Sequence, residues 1–297
     1  MEFFYSCVIS SLTLFYILFF KKMKHNFLLS VLLPAYNYSF GINRILEPFS
    51  KLDPRLLKKI EFIVSDDSDS LLANKEIKKI INFYIHRFDF NIIYTTGTNT
   101  KNPIDNWNRL LEKSSGKFKQ IIHHDEFFMS HQDIEDLLGL LNSSKHEIYI
   151  LKLYTTDKLY YYDHIPNLVI RSLLRFFLSS IVLVNFIGPS ACIVFRSFIE
   201  KKFKRRLMWI VDSDWFYRIF SESNKLLFCD SIAIVSESNY ENSITKKIVG
   251  SKICLKYMEL IKINFKFNFL HLIFLIFWPS IKIYIFLSNF FTRTRIK

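Results

Sequence analysis

Residues 61–69 read EFIVSDDSD, an apolar and largely β-branched run that stops at three carboxylates within four positions, Asp66, Asp67 and Asp69. Two other stretches share this form. Residues 28–37, LLSVLLPAYN, carry an apolar run into Pro34, Ala35, Tyr36 and Asn37, and residues 118–126, FKQIIHHDE, carry one into His123, His124, Asp125 and Glu126. Short apolar runs of this length read as buried strands, and the longer stretches between them carry the 3.6-residue period of amphipathic helices. The spacing predicts strands over 28–33, 61–65, 91–94, 119–123, 147–153 and 191–195, and helices over 42–52, 74–88, 103–113 and 132–141. Strands that alternate with helices imply βαβ units, hence an α/β fold around a mainly parallel sheet. Ligands of such open sheets bind outside the carboxyl ends of the strands, which directs attention to the polar residues that end these three runs.

Their chemistry is that of oxygen donors. Three carboxylates at one strand end repel each other unless water, hydrogen-bond donors or a cation offsets them, and a solvated turn is the plain alternative. The pair Asp125 and Glu126 suits a hard divalent cation that bridges two phosphates, since such an ion takes one or two protein oxygens and fills its shell with substrate and water. Signatures of other chemistries are missing: there is no P-loop or dinucleotide glycine fingerprint, no GxSxG and no HExxH.

In order and spacing, SVLLPAYN, EFIVSDDSDS and NWNRLLEKSSGKFKQIIHHDEFF resemble the successive nucleotide-sugar-binding motifs of family 2 glycosyltransferases, over roughly residues 27–239. The resemblance implies a GT-A fold, a Rossmann-like, mainly parallel mixed sheet flanked by helices. It implies that Pro34, Ala35, Tyr36 and Asn37 line the nucleotide pocket, that Asp66 accepts from the base imide with Asp67 beside it, and that Asn106 and Arg109 approach the donor. Asp125 and Glu126 become the acidic pair that holds Mg²⁺ or Mn²⁺ against the diphosphate, Asp125 also touching substrate; the usual pattern has Asp at both places. FIGPSACIVFR, ending at Arg196, resembles the acceptor-side strand. WIVDSDWFYR resembles the segment that supplies the catalytic base, with Asp212 six positions before Arg218 as the candidate, Asp214 as the alternative, and Val211 where the family has Glu.

The formal charge of the 297-residue chain is +13, and two segments account for all of it. Residues 241–297 hold ten Lys/Arg against two Glu, and residues 196–206 hold six against Glu200 alone. A nucleic-acid-binding domain would spread this charge over its folded face, so nucleic acid is not the expected partner. A basic, Phe- and Ile-rich tail suits an anionic membrane surface instead. Within it, residues 267–281, FNFLHLIFLIFWPSI, predict an interfacial or re-entrant helix of about 15 residues, short for a span and interrupted by Pro279. At the other end, residues 3–20 are uncharged and followed by Lys21, Lys22 and Lys24, which reads either as a membrane anchor or as sequence upstream of a true start at Met23. The expected organisation is therefore a segment 1–22 of that ambiguous kind, a glycosyltransferase domain over 23–240, and a membrane-associated tail of helices over 241–297. The four cysteines have no metal-ligand spacing and read as free thiols.

The expected function is transfer of a sugar from a nucleotide-sugar, UDP-linked by resemblance, to a glycan or polyprenyl-linked acceptor in surface polysaccharide biosynthesis. The resemblance implies an inverting, metal-dependent reaction at the cytoplasmic face of the membrane. A catalytically inactive, membrane-bound scaffold of the same fold is the alternative, suggested by Glu126 and Val211.

Overall fold

The structure, a computed structural model, describes residues 25–97, 102–156, 160–237, 252–292 and 294–295. The run 3–20, the choice between Met1 and Met23, and residues 238–251 lie outside them. Strands β1 (Leu29–Ala35) and β2 (Ile60–Asp66) are buried at every residue, which is why they read as mainly apolar runs, broken inside only by Ser30 and Glu61, rather than as alternating ones. With β3 (Ile92–Thr96) and β4 (Phe118–Ile121) they form a parallel block in the order β3–β2–β1–β4.

A short β5 (Glu126–Phe128) follows, then β6 (Ile148–Thr156), β7 (Tyr160–Asp163), β8 (Ile193–Arg196), β9 (Leu226–Glu237) and β10 (Thr294–Arg295). β8 runs antiparallel between β4 and β6, so β6 returns parallel to the first block. β9 lies parallel on the other edge of β6, and β5 pairs antiparallel with the end of β9. The sheet is thus mixed and mainly parallel, as expected, and five of the six predicted strands lie within two residues of their observed bounds at both ends. The sixth, at 147–153, runs on to Thr156.

The helices are α1 (Ser39–Phe49), α2 (Pro54–Leu57), α3 (Leu71–Phe88), α4 (Pro103–Lys113), α5 (His131–Ser143), α6 (Asn167–Phe177), α7 (Val211–Phe220), α8 (Lys252–Lys262) and α9 (Phe269–Thr292). α4 shows how local sequence fixes them. Asn102 caps it by accepting from the Ile104 amide at 3.0 Å, Pro103 occupies the first helical position, and Ile104, Trp107, Leu110 and Leu111 bury one face.

Between β1, β2 and the entry to β4 a buried polar knot sets the register. Glu61 Oε1 accepts from Ser30 Oγ at 2.5 Å and from the amides of Ser115 and Gly116 at 2.6 and 2.9 Å. Gly116 is required there, because a Cβ would stand 2.5 Å from Ser30 Oγ and 2.7 Å from the Ser30 nitrogen.

The C-terminal region corrects one expectation. α9 runs through Pro279 to Thr292, 24 residues rather than about 15, and its stretch Phe269–Asn289 has a mean hydropathy of 1.9 with 17% of it buried. It is long and apolar enough to cross a membrane. Its first turns rest on the domain, with Phe274 buried against Phe177 and Phe186. α8 is tied in more tightly. The buried Glu259 carboxylate accepts from the amides of Met208, Trp209 and Ile210 at 2.7 to 2.9 Å, just ahead of α7.

Candidate active site

The chain builds β1, β2 and β3 outward in one direction and then returns to place β4 on the other side of β1. The carboxyl ends of β1 and β4 therefore flank the point where strand order reverses, and helices lead away from it on both sides, which opens a crevice there. The three polar strand ends read from the sequence meet at this crevice.

The first two are laced together. Asn37, at a left-handed φ of 50°, donates from its amide to Ser68 Oγ at 2.7 Å and from Nδ2 to Asp69 Oδ1 at 2.5 Å, and accepts at Oδ1 from the Ser70 amide. The Tyr36 hydroxyl donates to Asp69 Oδ2 at 3.1 Å, and burial together with Asp69 raises its pKa. Asp66 is buried and held from both sides: Oδ1 accepts from the Ser68 amide at 2.9 Å and Oδ2 from the Tyr94 hydroxyl at 2.7 Å. Burial and then Asp66 push the Tyr94 hydroxyl up, so it stays protonated as a donor.

Asp67 meets α4. Arg109 Nη1 donates to Ser65 Oγ at 2.7 Å and lies 3.3 Å from Asp67 Oδ1, while buried Asn106 donates to the Ser65 carbonyl at 2.9 Å. Burial raises the Asp67 carboxyl against the pull of Arg109. Asn106 and Arg109 thus brace the end of β2, and Asp67 packs so closely on Gly97 that a Cβ there would stand 1.2 Å from Asp67 Oδ1.

The third end is acidic and poorly solvated. The Glu126 side chain, buried in β5, accepts from the His123 amide at 3.0 Å. Burial, then the neighbouring charge of Asp125, lifts its carboxyl well above the usual range, and Asp212 adds to the effect. His123 faces Ser190 Oγ at 3.0 Å and burial pushes it down to about 4, so its ring is neutral. Asp212, in the first turn of α7, is pushed up to about 7 by burial, and its Oδ1 is buried without a hydrogen-bond partner among the described residues. Asp214 is different. Its carboxylate is paired with Lys204 at 2.7 Å and Arg218 at 2.8 Å.

Among the described residues no group of three His, Cys, Asp or Glu side chains is arranged as a metal site. The donors nevertheless fit a hard cation better than a soft one. Asp125, Glu126 and Asp212 supply only carboxylate oxygens, two of them in surroundings that resist their negative charge, and one oxygen is orphaned.

The family model described as glycosyl transferase family 2 matches residues 30–207, more than half of the chain and all three strand ends. The chain belongs to glycosyl transferase family 2. Solved structures show the same GT-A architecture. TarS residues 1–349 of S. aureus, in complex with UDP-GlcNAc, superposes with a TM-score of 0.57 at 15% identity over 79% of this chain and 66% of that one. The mannosyltransferase PcManGT of Pyrobaculum calidifontis, in complex with GDP-Man and Mn²⁺, gives 0.57 at 14% identity over 88% and 70%. Without a ligand, the TarS 1–349 fragment is spanned over 60% of its length. No curated protein gives a significant match.

Within this family 2 chain several residues of the crevice carry no signal of their own in the sequence. Tyr94 and Ser68 orient Asp66 and the β1 turn, and Arg44, paired with Glu237 and donating to the His124 carbonyl at 3.1 Å, holds the 123–126 turn against β9. Tyr94 meets Asp66 across 28 positions of sequence, Ser68 meets Asn37 across 31 and Arg44 meets Glu237 across 193, contacts that only the sheet order brings about.

Proposed function

We propose that the protein transfers a sugar from a nucleotide-sugar, UDP-linked, to a glycan or polyprenyl-linked acceptor at the cytoplasmic face of a membrane, with inversion at the anomeric carbon. The observation that carries this reading is the convergence of Asp125, Glu126 and Asp212, whose Oδ1 has no partner among the described residues, near the reversal point of a family 2 sheet. UDP-GlcNAc and GDP-Man in the structural neighbours support a nucleotide-sugar as donor class.

In this mechanism the β1 turn, Pro34 to Asn37, lines the nucleotide pocket, and Asp66 accepts from the base imide in the orientation that Ser68 and Tyr94 impose. Asp67, Asn106 and Arg109 hold the pocket wall. Asp125 and Glu126 would hold a Mg²⁺ or Mn²⁺ ion, whose chemistry there is to offset the charge of a diphosphate. Asp212 takes the proton from the acceptor hydroxyl as that oxygen bonds to the anomeric carbon and the bond from that carbon to the diphosphate oxygen breaks. A carboxylate with a pKa near 7 is suited to this work, because it is both ionised and basic at neutral pH.

Donor hydrolysis tests the reading. The purified protein, given Mn²⁺ and a panel of UDP-sugars, should release UDP from at least one of them, and Asp125→Ala should abolish the release. Silence toward the whole panel, with membrane lipid extract supplied as acceptor, would overturn it.

A further inference from the structure

A cavity of about 310 Å³ lies apart from the acidic crevice, where β6 and β7 meet the start of α6. Lys152, Asp163, Pro166, Asn167, Arg171 and Asp230 border it. Register places it on the other side of the sheet. Glu126 pairs with Ser236 and Ser236 with Thr155, so these three side chains share one face, whereas Lys152, Tyr154 and the Tyr154 partner Asp163 share the opposite one. An irregularity in β9 helps to form it: Cys229 pairs with Leu151 but Ala233 with Lys152, which leaves Asp230 outside the ladder at the cavity rim.

Two polar atoms in this cavity are left over. Asn167 is 5% exposed, yet its donor Nδ2 has no hydrogen-bond partner among the described residues. Asp163 Oδ1, an acceptor, stands 3.1 Å from Lys152 Nζ, an ion-pair distance, but has no well-directed hydrogen bond among the described residues; Lys152 donates to the Tyr154 hydroxyl oxygen at 2.6 Å. An amide donor buried in this way is costly unless something comes to satisfy it.

We infer that this cavity is a second binding site, separate from the donor crevice, for a neutral carbohydrate. A hydroxyl accepts and donates at one oxygen, so sugar hydroxyls can take the Asn167 Nδ2 proton and donate to Asp163 Oδ1 together. Other ligand classes suit the site less well. A phosphate carries a net negative charge that would face the Asp163 and Asp230 carboxylates; a metal or ammonium cation would leave the Asn167 donor unsatisfied. The charged lining carries two cations, Lys152 and Arg171, and two carboxylates, which favours a ligand without net charge. Pro166 adds an apolar wall for the C–H face of a ring. The volume is at the small end of the roughly 300–1,000 Å³ of small-molecule pockets.

Saturation-transfer NMR on the full chain in nanodiscs tests this, with glucose, mannose and N-acetylglucosamine as probes and UDP binding followed in the same samples. At least one sugar should bind, and Asn167→Ala should weaken it about five-fold or more, the effect of one lost hydrogen bond, with UDP binding unchanged. Asn167→Asp is the second variant: it keeps the side-chain shape, suits the first turn of α6, and replaces the donor by an acceptor, so it should remove sugar binding as well. Sugar binding that is equal in wild type and both variants, or a wild type that binds UDP and none of the sugars, overturns the inference. Inorganic phosphate that competes with the bound sugar also overturns it. A protein that binds sugar through Asn167 but not UDP would count against the proposed donor chemistry alone.

Discussion

Arg218 Nε donates to Asp214 Oδ2 at 2.8 Å, one helical turn apart in α7, and Lys204 closes on the other oxygen at 2.7 Å. Two residues earlier, Asp212 has an oxygen buried with no hydrogen-bond partner among the described residues. The two carboxylates therefore have opposite properties: Asp214 is spent on two cations, and Asp212 keeps its basicity. Asp212→Asn should leave the melting temperature intact or higher and lower the sugar-transfer kcat by about 10²–10⁴-fold, the usual contribution of a general base. Asp214→Asn should lower stability by about 3 kcal/mol, as expected when one member of a buried ion pair is removed. A thermal melt and a transfer assay on both variants separate these outcomes, and a kcat loss confined to Asp214→Asn would reverse the assignment.

The same carboxylate makes stability depend on pH. Asp212 rises from 3.8 to about 7 in the folded chain, so between those values the native state holds a proton that the unfolded chain has lost. Stability therefore falls as pH increases through this window, the reverse of a salt-bridged aspartate. Three pH units at about 1.4 kcal/mol each set a ceiling of about 4 kcal/mol. Denaturant titrations in EDTA should show Asp212→Asn gaining on wild type from pH 4 to pH 7.5; a constant difference over that range would contradict the burial of Asp212.

What the sequence disclosed, and what it did not, follows from the same physics. β1, β2 and β4 were legible because both of their faces are buried, and α4 because its cap, proline and apolar period agree. β9 was not, since Asp230 and Ser231 interrupt its apolar run at the irregularity opposite Leu151 and Lys152. β5 has three residues and opens on a charged one, and β7, YYYD, is half-buried throughout. α9 was read too short because Pro279 suggested an end, although the helix continues past it. At the site, strand ends marked the acidic residues, but the choice between Asp212 and Asp214 depends on Lys204, which no periodicity connects to α7.

Gly97 ties the pocket to its backbone. A methyl group there would enter the space of the Asp67 carboxylate, with Arg109 Nη1 only 2.9 Å away, so Gly97→Ala must displace both. The Asn106 and Ser65 contacts behind them remain. The expected result is a folded protein whose Kd for UDP rises about ten-fold, equivalent to about 1.4 kcal/mol, measured by calorimetry. Unchanged UDP affinity would remove the Asp67 and Arg109 pair from the pocket wall.

Metal binding should appear as stability. Where Asp125 and Glu126 hold a cation, Mn²⁺ added with UDP raises the melting temperature by mass action, by about 2.7 kcal/mol of stabilisation at a hundred-fold excess over Kd. Asp125→Ala should lose this Mn²⁺-dependent increment and keep its metal-free melting temperature, because the Asp125 side chain is only partly buried. An Mn²⁺ response that survives in Asp125→Ala would place the ion elsewhere.

The apolar helix sets the last expectation. Ile276 and Ile283 are 63% and 61% exposed on α9, left largely uncovered by the described residues. If lipid covers them, a carboxylate at each position must enter hydrocarbon, at about 2.5–3.5 kcal/mol per aspartate-like charge at the centre of a span. The double variant Ile276→Glu, Ile283→Glu should move the protein from the membrane pellet to the soluble fraction after carbonate extraction. Its transfer activity toward a short soluble acceptor should persist, because Asp125, Glu126 and Asp212 owe their positions to β5, β9 and α7, and α9 touches the domain chiefly through α6, β7 and the segment that follows α6. Retention of the charged variant in the pellet would mean that α9 does not carry the attachment.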